Sequence, residues 1–317
     1  MEKGFFDVVV RSVDRQSRYV VSLTLEHPLG HDLPRWQPGA HVDVQLPNGM
    51  VRQYSLCSDP AEERSWRIAV LRESEGRGGS AYVHDELKPG TKIQVRGPRN
   101  NFPLRPAKRY LFIAGGIGIT PLVSMIRSAV QQKIPWDLVY LGRSRNSMAL
   151  VSEINAFGDN ARIHTSEDSG PYPLIDFVDQ LASGTAVYAC GPQKLLDALE
   201  TASHGWADPA ALHCERFSLG PAGTATVQPN STFVVELVDG TEVPVPPELS
   251  ILEALESAGV NPVSSCREGI CGTCETPVLS GEIDHRDTLL SPQERDEGTT
   301  MMICVSRCRG ARLVLDL

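Results

Sequence analysis

Residues 264–275 read SSCREGICGTCE, and this stretch decides the nature of the C-terminal third of the chain. Cys266, Cys271 and Cys274 are separated by four and then two residues, and Cys304 follows after 29 more. This spacing is typical of a plant-type [2Fe-2S] cluster. Four thiolates must converge on a small dianionic core, so three come from one tight loop and the fourth from a distant segment.

Glycines within the loop fit the same interpretation. Gly269 and Gly272 let the backbone wrap the sulfides and turn its N–H groups toward them, and Thr273 lies nearby to tune the reduction potential. A structural zinc site is the alternative, because zinc takes paired Cys knuckles. The second knuckle would have to be Cys304 with Cys308. The spacing and the glycines favour the cluster.

Composition and charge exclude several classes of protein. The 317 residues, 41% hydrophobic and 22% charged, suffice for two or three domains. We find no apolar run of the roughly 20 residues that span a bilayer, and the N-terminus lacks a secretory apolar region, so we expect a cytoplasmic monomer without membrane contact. Residues 231–317 hold 15 acidic and 6 basic residues and so carry the whole net charge of −9. This acidity argues against nucleic acid and favours a protein partner with a basic surface, although it could serve solubility alone.

The first hundred residues predict an antiparallel β-barrel. Short β-rich stretches alternate with turns such as Pro47-Asn48-Gly49, and one short helix is expected at Ala81–Leu87. The predicted strands are Phe6–Arg11, Tyr19–Glu26, His41–Gln45, Trp66–Leu71 and Lys92–Val95.

Two motifs in this region point to a flavin. Arg52, Tyr54 and Ser55, near the end of the second β-rich stretch, offer a cation for a phosphate, an aromatic face and a hydrogen bond near N5. The loop Gly76-Arg77-Gly78-Gly79-Ser80 opens the predicted helix, so its amides make a phosphate site. A site for one phosphate suits FMN better than FAD. An ordinary strand and a flexible glycine-rich turn are the alternatives.

From Arg109 the pattern becomes α/β. The apolar run Tyr110–Ala114 precedes Gly115-Gly116-Ile117-Gly118-Ile119-Thr120-Pro121, and an amphipathic helix is expected over Pro121–Gln132. Further strands at 137–141, 162–165 and 186–189 predict a parallel, doubly wound sheet. The glycine run allows close approach of a pyrophosphate, and Cys190-Gly191-Pro192 follows another strand end, where Gly191 would admit a planar ring. Cys190 could equally be an inert buried thiol.

The choice of nucleotide depends on residues that follow two neighbouring strands. Arg143 and Arg145 could pair with a 2′-phosphate, whereas Glu167 and Asp168 could bind ribose hydroxyls and repel that phosphate. We expect NADH.

The remaining sequence completes the domain plan. The segment Ser218–Pro229 predicts a linker, 233–237 and 241–245 a hairpin, and Ser250 with Glu253 a capping box whose helix ends at Gly259. We expect an FMN-binding barrel over 1–105, an NAD-binding domain over 106–220, a linker over 221–230 and an α+β, β-grasp ferredoxin domain over 231–317.

Together these elements resemble the phthalate dioxygenase reductase family. The resemblance covers nearly the whole chain. It rests on RQYSLCSD (52–59), GRGGS (76–80), RNNFPL (99–104), AGGIGITP (114–121), CGP (190–192), SSCREGICGTCE (264–275), DHRD (284–287) and MMICVSR (301–307).

This resemblance implies particular cofactor contacts. Phe217, in CERF, would cover the flavin, and Thr120 would lie near its ring. Leu71-Arg72 departs from the lysine–arginine pair of the family. The implied FMN contacts are Arg52, Tyr54, Ser55, Arg72, Gly78, Gly79, Ser80, Thr120 and Phe217, and the NAD contacts are Gly115, Gly116, Gly118, Thr120, Pro121, Arg143, Cys190, Gly191 and Pro192.

The implied function is a reductase that takes a hydride from NADH and delivers single electrons to a Rieske non-haem iron oxygenase. FMN would stand between the two-electron donor and the one-electron cluster. No catalytic acid or base is required. His285 could serve as a catalytic base, but it is expected to make a structural hydrogen bond. A reductase for another acceptor, such as a cytochrome or a ferric chelate, and a redox sensor without turnover remain alternatives.

Overall fold

The computed structural model describes residues 4–74, 76–178, 181–218 and 230–317. The chain forms two units, Met1–Arg216 and Phe217–Leu317. The expected linker falls almost entirely outside the described residues, as does the expected domain boundary at residue 220.

Six antiparallel strands build the first half of the N-terminal unit. Their order in the sheet is β4-β3-β6-β1-β2-β5, and a bridge between Leu56 and Ile68 links the two edges, as a barrel requires. The buried side chains of alternate positions, among them Val8, Leu23 and Val42, fill its interior. The strands are β1 (Phe6–Arg15), β2 (Val20–Glu26), β3 (His41–Gln45), β4 (Val51–Ser55), β5 (Ser65–Leu71) and β6 (Lys92–Arg99).

Two local predictions for the barrel need correction. Residues 52–55 do not end an earlier strand but belong to β4, in which Tyr54 pairs with Val42 after the turn at Gly49. Helix α1 spans Gly79–Glu86 and so begins two residues before the expected Ala81. Gly78 has a φ of +81°, a conformation that favours glycine, and this residue caps the helix.

The second half of this unit is a five-stranded parallel sheet of order β11-β10-β7-β8-β9. The predicted α/β architecture is confirmed, with β11 as a strand that the sequence analysis did not predict. The strands are β7 (Arg109–Gly115), β8 (Trp136–Gly142), β9 (Ala161–Thr165), β10 (Thr185–Cys190) and β11 (Leu212–Glu215). The helices are α2 (Ile119–Gln131), α3 (Val151–Asn155), α4 (Ser166–Ser169), α5 (Leu174–Val178) and α6 (Gln193–Ser203).

Separate apolar clusters cover the two faces of this sheet. One contains Phe112 and Tyr140 with Leu122 of α2, and the other contains Val139 and Val187 with residues of α5 and α6. Since β8 and β9 lie on one side of β7 and β10 and β11 on the other, the strand order reverses between β7 and β10. Ligands of doubly wound sheets bind beyond the carboxyl ends of the strands at such a point.

The C-terminal unit carries a five-stranded mixed sheet of order β13-β12-β18-β14-β16 and a two-stranded ribbon. The predicted hairpin is confirmed as β12 and β13, and the Ser250–Glu253 capping box opens α7 as expected. The strands are β12 (Phe233–Leu237), β13 (Glu242–Val245), β14 (Glu275–Ser280), β15 (Ile283–Asp284), β16 (Thr300–Met302), β17 (Arg307–Cys308) and β18 (Arg312–Leu315). The helices are α7 (Ile251–Ser257) and α8 (Pro292–Glu297).

Candidate cofactor sites

Arg52 joins the two motifs that predict a flavin site. Its Nη2 donates to the carbonyl oxygen of Arg77 at 3.0 Å. The stem of the same side chain lies against Gly79, where an added Cβ would stand 2.4 Å from Nε and 2.7 Å from Cγ. A side chain at position 79 would therefore displace Arg52 from the glycine-rich loop of residues 76–80.

The start of α1 completes an anion site beside Arg52. No side chain of the described residues caps this helix, so its first backbone N–H groups are available to another acceptor. Ser80 accepts a hydrogen bond from the backbone N–H of Glu73 at 3.1 Å, which closes the loop at its entrance. A guanidinium and a helix N-terminus favour a phosphate at the same place.

Tyr54 and Ser55 lie on β4 next to this anion site. Ser55 is buried. Burial also raises the pKa of Tyr54 well above its usual range, and the nearby positive charge of Arg52 offsets only part of this rise. Arg72 is a cation that the resemblance places among the flavin contacts. It makes a two-pronged ion pair with Asp85 of α1, at 2.6 and 2.8 Å. Its role toward a flavin stays a prediction.

Three glycines bring the ends of β7 and β10 into backbone contact. A Cβ on Gly118 would stand 2.2 Å from the carbonyl oxygen of Cys190, and one on Gly191 would stand 2.9 Å from Gly115 Cα. A Cβ on Gly115 would stand 2.5 Å from Pro192. These glycines are thus required by protein packing, in addition to any closeness to a pyrophosphate.

Gly116 is the glycine of this run that faces open space. Its φ is +54°, and no atom of the residues that the structure describes lies within 4 Å of its Cβ position. Helix α2 begins at Ile119 and not at Pro121 as predicted, because Gly116–Gly118 form a 3-10 turn that leads into it. Thr120 is buried in the first turn of α2 and donates its hydroxyl to the carbonyl oxygen of Ile117 at 3.0 Å.

Glu215 is a candidate functional residue that the sequence analysis missed. It ends β11 in register with Cys190, so both lie at the carboxyl edge of the sheet. Its Oε2 is buried without a hydrogen-bond partner among the described residues. Burial raises the pKa of Glu215 to about 8 and raises that of the Cys190 thiol well above its usual range. The available signal was an acidic residue directly after Cys214 in CERF, at the end of a short strand that the sequence analysis did not recognise.

The residues expected to select the nucleotide meet at the neighbouring strand ends. Arg143, just beyond β8, pairs through Nε with Glu167 Oε1 at 3.0 Å, and its carbonyl accepts from the Glu167 N–H at 3.0 Å. Asp168 accepts a hydrogen bond from the Thr165 hydroxyl. Arg145 lies in the 3-10 turn that follows β8.

The glycines of the loop at residues 266–274 adopt positive φ values, and one of them is also required by packing. Gly269 and Gly272 have φ values of +72° and +74°, and Arg267 also adopts a positive φ of +61°. A Cβ on Gly269 would stand 2.5 Å from Val305 Cγ2 and 3.0 Å from Asp287 Cα. Gly269 therefore also lets the loop pack closely on the segments that flank Cys304 in the fold.

Four thiols converge at this loop as two pairs. Cys266 lies within hydrogen-bonding reach of Cys271, Cys274 lies within reach of Cys304, and a further contact joins Cys266 to Cys304. No three His, Cys, Asp or Glu side chains in the described part of the chain surround one point as a single metal ion requires. Two thiolate pairs are instead the ligand set of a two-iron core.

Backbone donors point at the same sulfurs. The N–H of Glu268 lies 3.3 Å from Cys266 Sγ, and that of Thr273 lies 3.5 Å from Cys271 Sγ. The thiols of Cys271 and Cys304, with the backbone N–H groups of Glu268 and Ile270, hold the pKa of Cys266 below its usual range, and the same contacts raise the pKa values of Cys271 and Cys304. Four converging thiols with backbone N–H donors close to two of them fit the ligand set of an iron–sulfur cluster.

Three residues singled out from the sequence lie outside these arrangements. Cys308 Sγ donates to the carbonyl oxygen of Arg312 at 3.4 Å, which does not support its pairing with Cys304 in a zinc knuckle. The hydrogen bond expected of His285 is wrong within the described residues: both ring nitrogens are buried without a partner, and Nδ1 stands 3.6 Å from Asp287 Oδ1. Phe217 is 44% exposed, and its place over a flavin stays a prediction.

Comparison with known proteins agrees with this arrangement of sites. Three family models match in succession: an oxidoreductase FAD-binding domain over residues 7–103, an oxidoreductase NAD-binding domain over 112–201 and a 2Fe-2S iron-sulfur cluster binding domain over 236–309. No helix in the described residues has the length and apolar character to cross a membrane.

Individual relatives extend over the whole chain. Phthalate dioxygenase reductase from Burkholderia cepacia is 38% identical over 323 residues, which cover 100% of this chain and 98% of that one. The solved structure of a phthalate dioxygenase reductase matches 100% of this chain and 99% of its own, with a TM-score of 0.74 and 37% identity. An intact type IV self-sufficient cytochrome P450 monooxygenase matches 99% of this chain but only 41% of its own, with a TM-score of 0.84 and 40% identity.

Proposed function

Because this chain belongs to the phthalate dioxygenase reductase family, we propose that it is the NADH-dependent reductase of an oxygenase system, with FMN and a [2Fe-2S] cluster as its carriers. The chain is an oxidoreductase with flavin, nicotinamide and ferredoxin domains. The observation that carries the proposal is this succession of three domains in one polypeptide. Its final acceptor would be a Rieske-type non-haem iron oxygenase.

Bound flavin can take a hydride and release single electrons, which is the conversion this order of domains requires. The chain itself binds and orients. Arg52 and the first turn of α1 would hold the flavin phosphate, and Gly116 leaves room for the nucleotide at the strand reversal. Cys266, Cys271, Cys274 and Cys304 would hold the two irons.

FMN is the flavin that the barrel supports best. Arg52, Gly78, Gly79 and Ser80 form one compact anion site at the start of α1, which suits a single phosphate monoester. The matching family model is described as FAD-binding, so the flavin must be identified directly. Flavin released by heat from the purified protein should run as FMN in chromatography. Release of FAD would contradict this part of the proposal.

NADH is the nucleotide that the strand ends favour. Glu167 neutralises Arg143 and places a carboxylate at the edge where a 2′-phosphate would have to bind. A phosphate there would meet a like charge, and breaking the ion pair would cost further free energy. NADH should bleach the flavin and iron–sulfur absorption anaerobically, and NADPH should do so much more slowly. Equal rates would contradict the nucleotide assignment.

The excess acidity of the C-terminal unit supports a basic docking surface on the partner. Electron delivery to the physiological oxygenase should slow as salt rises from 50 to 500 mM, because attraction between exposed charges is screened. Reduction of the flavin by NADH is the internal control and should change little. Delivery that is insensitive to salt would contradict this role of the charge.

A haem protein is a second candidate acceptor, favoured by the similarity to the self-sufficient cytochrome P450. Turnover with a Rieske oxygenase and with a P450 haem domain, each added in equal amounts, separates the two. Steady NADH oxidation with cytochrome c as an artificial acceptor would also exclude a sensor without turnover.

A further inference from the structure

We propose that Glu153 is a positioning residue that holds the flavin-binding strand against the nicotinamide-binding helix for hydride transfer. This inference rests on the proposed function. Glu153 lies in the first turn of α3, outside every motif that the sequence analysis singled out. Its carboxylate accepts from Arg67 of the barrel at 2.7 Å and from Arg127 of α2 at 2.5 Å.

Arg67 connects Glu153 to the strand end that carries the predicted flavin contacts. Its Nη2 also donates to the carbonyl oxygen of Cys57 at 2.8 Å, and its own carbonyl accepts from the Cys57 N–H at 2.8 Å. Cys57 lies two residues after Ser55. A displacement of Arg67 would therefore shift the backbone that presents Ser55.

Arg127 connects the same carboxylate to the nicotinamide side. It lies two turns along α2 from Thr120, so the ion pair fixes the rotation and height of the helix whose first turn borders the glycine run. Tyr140 anchors α3 in turn, because its hydroxyl bonds with both the N–H and the carbonyl of Ala149 at 3.0 Å. The sheet thus fixes the position of Glu153, whose carboxylate pairs with Arg67 of the barrel and with Arg127 of α2.

The ion-paired side chains of Arg67, Glu153 and Arg127 are largely shielded from solvent, so the attraction between their charges is weakly screened. The side chains of Arg67, Glu153 and Arg127 are 24%, 20% and 28% exposed. The Nε atoms of both arginines are buried without a partner in the described residues. One carboxylate therefore serves two poorly solvated cations, which would repel one another without it. A movement of about 1 Å between reacting groups can lower a rate by about a hundredfold.

The test compares Glu153→Gln with a matched control. Asp137→Asn breaks an ion pair with Arg109 that lies within the α/β sheet and does not reach the barrel. Anaerobic stopped-flow measurement of flavin reduction at several NADH concentrations gives the limiting rate and the dissociation constant separately. For Glu153→Gln we expect the limiting rate to fall at least about 10-fold, with the dissociation constant within about twofold of the parent and flavin content unchanged. Asp137→Asn should match the parent, and Glu153→Asp should recover most of the rate.

Two further measurements separate positioning from general stability. In apoprotein, hydrogen exchange should accelerate at residues 56–58 and 120–127 in Glu153→Gln but not in Asp137→Asn. Arg67→Met should slow reduction as Glu153→Gln does, and the double variant should be no slower than either. If Glu153→Gln reduced at the parent rate, or lost rate only in proportion to lost flavin or NADH affinity, the inference would be overturned. A parent protein that NADH fails to reduce would instead overturn the proposed function.

Discussion

Replacing Glu215 by Gln should stabilise the N-terminal unit in a manner that depends on pH. The carboxyl head is buried at the carboxyl edge of the parallel sheet, its Oε2 has no partner among the described residues, and burial raises its pKa from 4.5 to about 8. The fold therefore favours the protonated form. This contribution to stability is fully present below pH 4.5 and is lost as pH rises through about 8.

The size of the effect follows from the two pKa values. Each unit between them corresponds to about 1.4 kcal/mol, so at pH 7 the parent has lost roughly 3 kcal/mol relative to acidic pH. Gln has nearly the same shape and carries no charge at any pH. Glu215→Gln should consequently unfold at a higher temperature than the parent at pH 7, and the gain should shrink toward zero near pH 4.5.

Thermal unfolding of the apoprotein, followed by circular dichroism between pH 5 and pH 8, measures this difference. Glu200→Gln is the matched control, because Glu200 is an exposed carboxylate of the same unit that pairs with Arg216. The stability of this control should follow the parent in parallel across the pH range. If Glu215→Gln also ran parallel to the parent, the carboxyl would ionise normally and the argument from burial would fail.

Three further experiments test the cofactor sites. Arg52→Ala should weaken FMN binding about 10- to 100-fold, because one charge-assisted contact contributes about 1.5–3 kcal/mol. Fluorescence titration of the apoprotein with FMN measures this affinity, and an unchanged value would place the phosphate elsewhere. Gly118→Ala should lower the free energy of unfolding by about 2 kcal/mol or more, since the new Cβ would clash with the Cys190 carbonyl oxygen. Gly116→Ala should lower it by only about 1–2 kcal/mol, through backbone strain at a positive φ. Cys304→Ser should abolish the iron–sulfur spectrum, and Cys308→Ser should retain two irons per chain; loss of iron from both would make Cys308 part of the site.

Features that depend on residues close in sequence could be predicted well. The Cys266–Cys274 spacing, the Ser250 capping box and the hairpin around Asp239-Gly240 each describe a local geometry that needs no distant partner. The parallel sheet was recognisable because strands buried on both faces are continuous apolar runs. The short strand β11, with its mixed LHCE sequence, lacks that signal and was missed.

Interactions between distant segments could not be predicted from the sequence. Nothing near Arg52 indicates that its side chain lies on Gly79, and nothing near Glu153 indicates an arginine 86 residues earlier in the chain. The bidentate pair of Arg72 with Asp85 likewise arises because α1 packs beside β5. Such contacts are set by the fold, so they cannot be found from the residues adjacent in sequence.

The glycine run shows how one motif can meet two physical demands at once. Gly115 and Gly118 allow the backbones at the ends of β7 and β10 to approach closely, and this close approach lies at the strand-reversal point where ligands of doubly wound sheets bind. Gly116 instead leaves that point open. A sequence motif read only as a ligand-binding pattern would assign all three glycines to the pyrophosphate. A Cβ at Gly118 would clash with the Cys190 backbone, whereas one at Gly116 would meet no described atom, so we expect substitutions at Gly118 to be the more damaging to folding although the two positions are separated by a single residue.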